Sequence, residues 1–525
     1  MSPRTRSSIA VVDALGARAC DASAIASGIP SRALMQRAGA AAAAELTNRY
    51  GEQLRRGVVV ATGPGNNGGD GWVVAHALHA VGIAVRVVEC VAARSPDAIA
   101  EREGALAAGV ASSGDVGALL TGGESVAVDA VLGTGLTGGA PLRGDVALAV
   151  EQLHRLRARG ASIIALDLPT GIDATTGRDV GAAACDLTIT FGTVKRGQLV
   201  ARGACGALVV VDIGLGAHAH AAADAMRLAT ARWFATSLPV IDADAHKGTR
   251  KKVAIVGGGP GMVGAVMLAA RAALRSGAGI VKCVVAPESI AAIQEGEPSA
   301  LAAVWPEDDA ALASSIVDWA DVLLVGPGLG AASARALTTR LLEAWRGPVV
   351  LDADALNAFA GDVAALAPLL RDRAALITPH PAEFGRLWKM PVSAVLDGRF
   401  ELPARLAGEL GAAVLLKGVP TVIASTDGTS HVVAEGTPTL ATGGSGDMLG
   451  GIAATLVAQT EDAPLAGALA AFAHGRAAWA VSERQVRGHT LDDVLLALPG
   501  VWSLEALPPR PPLLVELPAV GERSG

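Results

Sequence analysis

The chain has 525 residues, more than one hydrophobic core of ordinary size accommodates, so its length predicts at least two domains. Its residues are 51% hydrophobic and only 3% aromatic, which predicts cores of closely packed Ala, Val and Leu and argues against a disordered chain. The net charge of −7 argues against broad nucleic-acid binding.

Cysteine usage and hydropathy bear on the compartment. An odd number of scattered cysteines without a CxxC pair argues against a disulfide framework or a structural zinc site. Charged residues near the N-terminus interrupt any apolar core of a signal peptide. The most apolar stretches have the length of a strand rather than of a membrane span. We therefore expect a cytoplasmic protein that does not enter a membrane. The cysteines are Cys20, Cys90, Cys185, Cys205 and Cys283.

In the first half, short Val- and Ile-rich runs alternate with longer runs of helical period, which predicts βαβ units on a parallel sheet. An amphipathic helix over residues 31–50, with Ser31 as its candidate N-cap, precedes the first strand. We expect a first domain over residues 1–219. Its predicted strands are 58–62, 84–89, 126–132, 163–168 and 187–190.

A Gly-, Ala- and His-rich segment over residues 214–225 predicts a linker. His218 and His220 lie in it, but no metal-ligating residue at a matching spacing accompanies them, so a solvated linker is favoured over a metal site. A second α/β domain is expected over residues 225–505, followed by a poorly ordered Pro-rich tail over 506–525. The predicted strands of the second domain are 252–257, 279–285, 322–326, 348–351, 375–378, 413–417, 421–424 and 431–434.

The run GPGNNGGDG (residues 63–71) follows the first predicted strand directly, and a helical pattern begins near Trp72. A Gly-rich turn between a strand and a helix can present backbone N–H groups to a phosphate. The competing interpretation is a tight turn rich in Gly and Asn for its backbone angles alone.

Two further loops follow later strands, DAVLGTGLTG (residues 129–138) and DLPTGID (residues 167–173). Open α/β sheets bind their ligands at the carboxyl ends of their strands, so the three loops should converge. Asn67, Asp129 and Thr170 supply amide, carboxylate and hydroxyl oxygens, the ligands that hard cations prefer.

Together GNNGGDG, VDAVLGTGLTG and DLPTGID resemble the N-terminal domain of the NAD(P)H-hydrate epimerase family over residues 10–215. The resemblance implies a Rossmann-like three-layer αβα fold, potassium bound by Asn67, Asp129 and Thr170, and Asp167 as the acid/base at the hydroxyl-bearing carbon. The competing interpretation of Asp167 is a capping or Asx-turn acid before Pro169. Besides Asp167, the substrate-binding residues implied are Asn66, Asn67, Gly68, Gly69, Asp70, Gly133, Thr134, Gly135, Leu136, Thr137, Gly138 and Gly139.

In the second half, TGGSGDMLGG (residues 442–451) opens a long Ala-rich helical pattern. Successive Gly and Ser N–H groups at a helix start can form a nest for a phosphoryl group, and Asp447 can take a proton from an attacking hydroxyl. This resembles the GxGD element of the ribokinase-like fold. The competing interpretation is a helix cap whose first-turn Asp is favoured by the helix dipole.

Five companion motifs extend the resemblance to the ADP/ATP-dependent NAD(P)H-hydrate dehydratase family over residues 235–500. It implies that the hydrate hydroxyl is phosphorylated and that phosphate is then lost, with Mg²⁺ bridging the phosphates of ADP or ATP. The motifs are HKG (246–248), GPGLG (326–330), LDADALN (351–357), TPHPAE (378–383) and LKG (416–418). The nucleotide contacts implied are Lys417, Gly418, Val419, Pro420, Thr421 and Gly446, and the substrate contacts are Ala265, Gly330, His380 and Asp447. The competing interpretation of His380 is a capping imidazole. Residues 435–440, which precede the Gly-rich segment, lack an Asn that related sequences often carry.

Two alternatives stay open from the sequence. GPGMVG (residues 259–264) matches the GxGxxG pattern of a Rossmann oxidoreductase, although Pro260 is unusual there and the acid Glu288 comes late. A ribokinase-type small-molecule kinase with a regulatory N-terminal half is the stronger rival. We expect a homo-oligomer that binds NAD(P)H hydrate and an adenine nucleotide.

Overall fold

The structure, a computed structural model, describes residues 9–136, 138–483, 485, 487–505 and 510–520. These residues form two compact units, one running to Arg227 and including residues 510–520, the other running from Leu228 to residue 505. Thr137, one of the predicted substrate-binding residues, lies outside the described residues. Within them, no helix has both the length and the apolar character needed to cross a bilayer.

A parallel sheet forms the centre of the first unit, with strand order β9-β7-β6-β5-β2-β3-β4. Each of the five strands predicted for this half is present, one with the predicted bounds and four with ends that differ by one or two residues. The strands are β1 (Ala10–Val12), β2 (Val58–Thr62), β3 (Val85–Glu89), β4 (Ala111–Ser113), β5 (Val126–Ala130), β6 (Ser162–Leu166), β7 (Leu187–Phe191), β8 (Val194–Lys195), β9 (Ala207–Val211) and β10 (Met226–Leu228).

Helices cover both faces of this sheet. Val58 and Val60 of β2 pack with Trp72 on one face, and Val59 and Ala61 pack on the other with residues of the helix after β5. This alternation confirms the three-layer αβα fold. The helices are α1 (Ala14–Ala26), α2 (Ser31–Leu54), α3 (Asn66–Ala80), α4 (Pro96–Ala107), α5 (Gly144–Ala158), α6 (Arg196–Val200) and α7 (Arg202–Cys205), with 3₁₀ turns at Val116–Leu120 and Gly216–Ala221.

The helix predicted over residues 31–50 is present and begins at Ser31. Ser31 is not its N-cap, because Pro30 in an extended conformation holds that position and no side chain caps this end. One predicted helix start was wrong. Helix α3 begins at Asn66 rather than near Trp72. The Gly-rich loop thus winds into the first turns of α3, despite the low helix propensity of Gly.

Three short strands, β1, β8 and β10, pair with one another outside the parallel sheet of the first unit. Strand β1 pairs with β8 in parallel, with Val12 opposite Lys195, and with β10 in antiparallel fashion. The predicted linker belongs to this unit and packs in part against α1, although most of its residues are at least partly exposed to solvent. His218 Nδ1 lies 3.1 Å from Ser23 Oγ of α1, and Ala222 packs with Cys20, because the small residues of the segment fit against the helix.

The second unit contains nine strands that are hydrogen-bonded in the order β13-β12-β11-β14-β15-β16-β17-β18-β19. The strands are parallel from β13 to β17, and β18 and β19 are antiparallel. The eight predicted strands are confirmed, and β13 was missed because two of its four residues are exposed. The strands are β11 (Lys252–Val256), β12 (Ile280–Val285), β13 (Leu301–Val304), β14 (Val322–Val325), β15 (Val349–Leu351), β16 (Ala375–Ile377), β17 (Ala413–Leu416), β18 (Thr421–Ala424) and β19 (Ser430–Val433).

Helices again cover both faces. Ile255 of β11 packs in one core with Phe472, while its neighbour Val256 packs in the other with Phe359. The helices are α8 (Ala231–Ser237), α9 (Val263–Arg275), α10 (Ile290–Gly296), α11 (Asp309–Leu312), α12 (Ala331–Ala344), α13 (Ala353–Asn357), α14 (Val363–Leu370), α15 (Pro381–Leu387), α16 (Val392–Asp397), α17 (Leu402–Leu410), α18 (Ser445–Thr460), α19 (Ala463–Ser482) and α20 (Leu491–Val501).

The described part of the tail is ordered, contrary to expectation. Strand β20 (Leu513–Leu517) pairs antiparallel with β9. Arg49 Nη2 lies 2.8 Å from Glu516 Oε2, and Leu517 is buried. The apolar residues that follow the prolines therefore complete the edge of the first sheet.

Candidate active sites

A cavity of about 480 Å³ lies at the carboxyl ends of β2 and β5 in the first unit. Asp21, Lys195 and Phe191 line it in addition to predicted residues. The predicted residues that line it are Asn66, Asn67, Asp70, Gly133, Thr134, Gly135 and Asp167. Gly68, Gly69, Leu136, Gly138 and Gly139 are not among its lining residues.

Close packing explains several glycines of the loop. A Cβ on Gly63 would lie 1.9 Å from the carbonyl oxygen of Val131, and one on Gly68 would lie 2.0 Å from that of Gly63. A Cβ on Gly69 would lie 2.5 Å from Met35 Sδ. None of these glycines has a positive φ, so close packing rather than a left-handed backbone angle requires Gly here. Any larger residue would push the loop away from its neighbours.

Asp167 follows β6 and is held by side chains. Its backbone has φ 62°, which is rare for a residue other than Gly, although Asp tolerates it better than most. Its Oδ1 accepts hydrogen bonds from Lys195 Nζ at 2.5 Å and from Thr190 Oγ1 at 3.2 Å. A capping or Asx-turn acid would accept hydrogen bonds from nearby backbone N–H groups. The partners of Asp167 are side chains instead, which argues against the competing interpretation.

Sequence reasoning missed Lys195 and Gln198, which position Asp167. The Lys195 side chain is only 4% exposed. Gln198 Nε2 donates to the Asp167 carbonyl oxygen at 2.5 Å, and Gln198 Oε1 accepts from the Lys195 N–H at 2.7 Å. The sequence does contain a signal for Lys195, because a Lys at the end of an apolar strand pattern is expected to be buried, and a buried Lys requires a partner.

Two other carboxyl groups face the cavity. Burial raises the pKa of Asp21 to about 6, with Lys195 lowering it and Asp167 raising it. Burial raises the pKa of Asp70 well above its usual value, and the charges of Asp167 and Asp21 raise it further. The cavity thus combines three carboxyl groups, two of which have raised pKa values, with the ammonium group of Lys195.

The three predicted cation ligands divide into a bonded pair and an unpartnered amide. Thr170 Oγ1 donates to Asp129 Oδ1 at 2.6 Å, and the Thr170 N–H donates to Asp129 Oδ2 at 2.7 Å. Burial raises the pKa of Asp129, although these hydrogen bonds lower it. Both polar atoms of the Asn67 amide are buried and have no hydrogen-bond partner within the described chain.

The predicted anion hole of the second unit is a helix start. Gly444, with φ 94°, is the N-cap of α18, and Asp447 lies in its first turn. Burial, then the charge of Asp352, raise the pKa of Asp447 to about 7, while Lys417 lowers it. A carboxyl group that titrates near neutral pH beside exposed backbone N–H groups is suited to take a proton from a hydroxyl.

The ammonium group of Lys417 lies beside the same helix start. Its Nζ donates to Asp352 Oδ1 at 2.7 Å, and a Cβ on Gly446 would lie 3.0 Å from that Nζ. Burial lowers the pKa of Lys417, but the charges of Asp352 and Glu383 raise it above its ordinary value overall. Lys417 therefore places a positive charge beside the glycine-rich helix start.

The remaining predicted nucleotide contacts form the turn between β17 and β18. Gly418 and Val419 are exposed, with Val419 at 54%, and Pro420 is buried. Thr421 Oγ1 donates to the Gly418 carbonyl oxygen at 2.9 Å. The turn thus presents an apolar side chain next to the charged Lys417.

His380 is a helix cap, as its competing interpretation stated. Its Nδ1 accepts from the N–H groups of Ala382 and Glu383 at 3.1 and 3.3 Å. Its side chain is still 45% exposed, and its Nε2 lies 3.5 Å from Glu383 Oε1. Burial, the largest effect, lowers its pKa.

The other two predicted substrate contacts lie on neighbouring elements. Gly330 has φ 83°, and its N–H donates to Asp354 Oδ2 at 2.8 Å. Ala265 lies in α9, and a Cβ on Gly328 would lie 3.3 Å from the Ala265 Cβ. The sequence predicted no separate role for Asp354. Its hydrogen bond to Gly330 fixes the loop that contains Gly330.

His474 was not predicted. It is buried in α19, and its Nε2 lies 3.4 Å from Ser445 Oγ at the start of α18. Burial, and then the charge of Lys417, lower its pKa to about 4, so the imidazole is neutral. Its position beneath the helix start depends on the packing of two helices, which a single sequence does not reveal.

The GxGxxG segment is occupied by packing. The N–H groups of Gly258 and Gly259 donate to the carbonyl oxygens of Pro327 and Gly328 at 2.9 and 2.7 Å. Helix α9 begins only at Val263. The backbone groups that would bind a pyrophosphate in an oxidoreductase therefore bind a neighbouring loop.

Comparisons with known proteins agree with both halves of the chain. The family model described as YjeF-related protein N-terminus matches residues 31–197, and the model described as NAD(P)H-hydrate dehydratase matches residues 253–499. A bifunctional NAD(P)H-hydrate repair enzyme of Moorella thermoacetica is 37% identical, over 90% of this chain and 92% of its own length. Its counterpart in Escherichia coli is 34% identical, over 90% of each chain.

A solved structure resembles the second half. The ADP/ATP-dependent NAD(P)H-hydrate dehydratase of Bacillus subtilis, co-crystallized with ATP/Mg²⁺, covers 52% of this chain and 96% of its own, with 30% identity and a TM-score of 0.47. On the strength of the sequence matches over both halves, the chain belongs to the family of bifunctional NAD(P)H-hydrate repair enzymes, with an epimerase domain followed by a dehydratase domain.

Proposed function

We propose that the first unit interconverts the R and S forms of hydrated NADH and NADPH, and that the second unit removes water from the S form at the expense of ADP or ATP. The observation that carries the proposal is the Asp447 carboxyl group, which titrates near pH 7 in the first turn of α18 beside Gly446 and Lys417. A general base at an anion-binding helix start is what phosphorylation of a hydroxyl requires.

In the epimerase site, Asp167 is the proposed acid/base residue at the hydroxyl-bearing carbon. Lys195 and Gln198 hold its carboxylate and backbone in place, which limits the reorganisation needed during proton transfer. Asn66 and Asn67, at the N-terminal end of α3, and the loop from Gly133 are placed to bind the dinucleotide, with the helix N-terminus favouring a phosphate. The roles of the other loop residues stay predictions.

The oxygen groups of this site fit a potassium ion. Asn67 has a buried amide oxygen without a partner, which a cation would satisfy, and Asp129 and Thr170 lie in direct contact with each other. Potassium, when bound, would supply a fixed positive charge near the substrate. These three residues would hold it.

In the dehydratase site, Asp447 would take the proton of the hydrate hydroxyl. The oxygen would then form a bond to the terminal phosphoryl group of the nucleotide, and the bond from that phosphorus to the bridging oxygen would break. Inorganic phosphate then leaves with the oxygen of the former hydroxyl. The neighbouring ring carbon loses a proton to solvent as the carbon–carbon double bond forms, and NAD(P)H is restored. Lys417 and the N–H groups of residues 443–446 would offset the charge of the moving phosphoryl group. Ala265, Gly330 and His380 are the proposed contacts to the hydrate.

Magnesium would be bound mainly through the nucleotide. Among the described residues no group of three or more His, Cys, Asp or Glu side chains could hold a metal ion, and Mg²⁺ commonly binds through phosphates with one or two carboxylates. Mg²⁺, when bound, would neutralise phosphate charge. The turn from Lys417 to Thr421, with its exposed Val419, is the proposed contact to the adenine nucleotide.

Location and assembly are further proposals. The five cysteines are free and buried, which supports a reducing cytoplasm. The homo-oligomer expected from the sequence stays a prediction that light scattering tests.

A mixture of R and S hydrates tests the two activities together. The wild-type protein with ADP and Mg²⁺ should convert the whole mixture to NAD(P)H, because the epimerase replenishes the S form. With Asp167→Asn, conversion should pause once the S fraction is used, and with Asp447→Asn no NAD(P)H should form. Complete and rapid conversion by either variant would refute the assignment of that residue.

A further inference from the structure

Helix α1 places a second carboxyl group, Asp21, in the wall of the cavity that contains Asp167. Asp21 precedes residue 31, where the match to the N-terminal family model begins. We propose that Asp21 is a second catalytic acid/base residue of the epimerase site, which exchanges a proton with the ring nitrogen while Asp167 exchanges one with the hydroxyl. This inference rests on the proposed epimerase function.

The pairing of β1 with β8 fixes the position of Asp21 relative to Lys195. Strand β1, which leads into α1, pairs with β8 so that Val12 lies opposite Lys195. Asp13 caps the start of α1 by accepting from the Gly16 N–H at 2.6 Å, and Cys20 anchors the helix in a buried core. The next residue along, Asp21, is consequently held at the cavity.

The two carboxyl groups have different partners. Asp167 forms an ion pair with Lys195, whereas the Asp21 carboxyl group forms no hydrogen bond or ion pair with any described residue. Asp21 is an exposed residue in the wall of the cavity. An unpaired acid facing an open cavity next to a paired one is the arrangement in which one group gives a proton while the other takes one.

The charged groups that line the cavity with Asp21 support this division of roles between Asp21 and Asp167. Arg18 of the same helix, Asp70 of α3, Asp167 after β6 and Lys195 at the end of β8 all line the cavity with it. Burial raises the pKa of Asp21 to about 6, Lys195 lowers it, and Asp167 raises it. A fraction of Asp21 is therefore protonated close to neutral pH, while Lys195 stabilises the charge of Asp167.

The proposed step is a ring opening and reclosure that needs no co-reactant. Asp167 takes the hydroxyl proton, the carbon–oxygen bond becomes a carbonyl, and the bond between that carbon and the ring nitrogen breaks with its electron pair going to nitrogen. Asp21 gives its proton to the nitrogen. After the aldehyde rotates, nitrogen attacks the opposite face, Asp21 recovers its proton, and Asp167 returns a proton to the oxygen. Both residues end in their starting states.

Asp70 is a less suitable donor. It is only 8% exposed, and burial raises its pKa well above the ordinary value, which disfavours its ionised form. A carboxyl group whose ionised form is disfavoured can donate a hydrogen bond but alternates less readily between acid and base. Asp70→Asn is therefore the matched comparison for Asp21→Asn.

The test is the pH dependence of kcat/KM for conversion of R to S hydrate, followed by chromatography without nucleotide. For the wild-type protein we expect a decline above about pH 6, where the free enzyme loses the Asp21 proton. Asp21→Asn should lower the rate by about 100-fold or more and remove this decline. Asp21→Glu should retain the decline with a displaced midpoint. Glu52→Gln, at an exposed carboxylate of α2, should behave as wild type.

Circular dichroism and thermal unfolding of each variant report whether the first unit has folded. An unchanged rate or pH profile in Asp21→Asn, or an unchanged midpoint in Asp21→Glu, would overturn the inference, as would loss of the decline in Asp70→Asn alone. If Asp167→Asn also epimerises at the wild-type rate, the proposed function of the site fails as well. Full activity of Asp21→Asn with an inactive Asp167→Asn removes Asp21 alone.

Discussion

Lys195 Nζ lies 2.5 Å from Asp167 Oδ1, in a pair whose side chains are 4% and 13% exposed. The two residues come from the ends of different strands, β8 and β6, and the pairing of β8 with β1 sets the register of the lysine. Because two buried charges stabilise each other here, the pair fixes the carboxylate that faces the cavity.

The first prediction concerns this ion pair. Lys195→Met leaves the buried Asp167 charge without its partner, so we expect the first unit to lose about 3 kcal/mol of unfolding free energy and most of its epimerase activity. Chemical denaturation and R-to-S conversion measure the two effects. Lys195→Met combined with Asp167→Asn should recover part of the stability but none of the activity. A double variant no more stable than Lys195→Met would contradict the pairing.

The second prediction concerns potassium. Replacing K⁺ with a large organic cation should slow epimerisation and leave dehydration of the S form unchanged, because the proposed ligands lie in the first unit. Asn67→Ala should remove the dependence on K⁺, since it deletes the unpartnered amide oxygen. Epimerase activity measured across a K⁺ titration checks both. An equal K⁺ response in Asn67→Ala would exclude this residue as a ligand.

The third prediction concerns the pH dependence of dehydration. Burial raises the pKa of Asp447 to about 7, and a general base must be ionised, so kcat/KM should fall as the pH decreases through about 7. Asp447→Asn should lower the rate by about 100-fold to 10,000-fold while epimerisation continues. A pH-independent rate between pH 5 and pH 8 would contradict the role of Asp447.

The same shift affects stability. Because the folded pKa of Asp447 is above the unfolded value, its contribution to stability is present below the unfolded pKa of about 3.9 and is lost as the pH rises through about 7. We therefore expect Asp447→Asn to melt at a higher temperature than wild type at pH 8, with the difference disappearing toward pH 4. Thermal unfolding at the two pH values measures this.

The fourth prediction uses the neighbours of Asp447. The charge of Asp352 raises the pKa of Asp447 and that of Lys417 lowers it. At saturating nucleotide, the midpoint of the dehydratase pH profile should therefore move to lower pH in Asp352→Asn and to higher pH in Lys417→Met. Movement of both midpoints in the same direction would show that other groups control this titration.

The sequence predicted the strands and loops better than the partners of the reacting groups. Apolar runs identified β2 and β5. The Gly-rich segments at Gly63 and Gly443 are the basis for the two candidate sites, whose residues stay predictions. Strand pairing brings Lys195 to Asp167, and helix packing brings His474 to Ser445 across 29 residues. Such contacts depend on register and on the meeting of distant elements, which periodicity alone does not specify.

The wrong predictions for the tail and for the linker segment have a similar cause. The tail was expected to be poorly ordered from its prolines, yet β20 completes the sheet beside β9 because an exposed edge accepts a short apolar strand. The segment around His218 looked like a linker, but its small residues pack on α1. Local composition therefore gave no indication of either contact.

The most direct measurement incubates the S form of hydrated NADH with the protein, ADP and Mg²⁺ and follows the absorbance of reduced nicotinamide together with inorganic phosphate. The account predicts that absorbance returns with one phosphate released for each NADH formed, and that neither change occurs without nucleotide. A stable phosphorylated hydrate with no return of absorbance would instead show a small-molecule kinase and contradict the account.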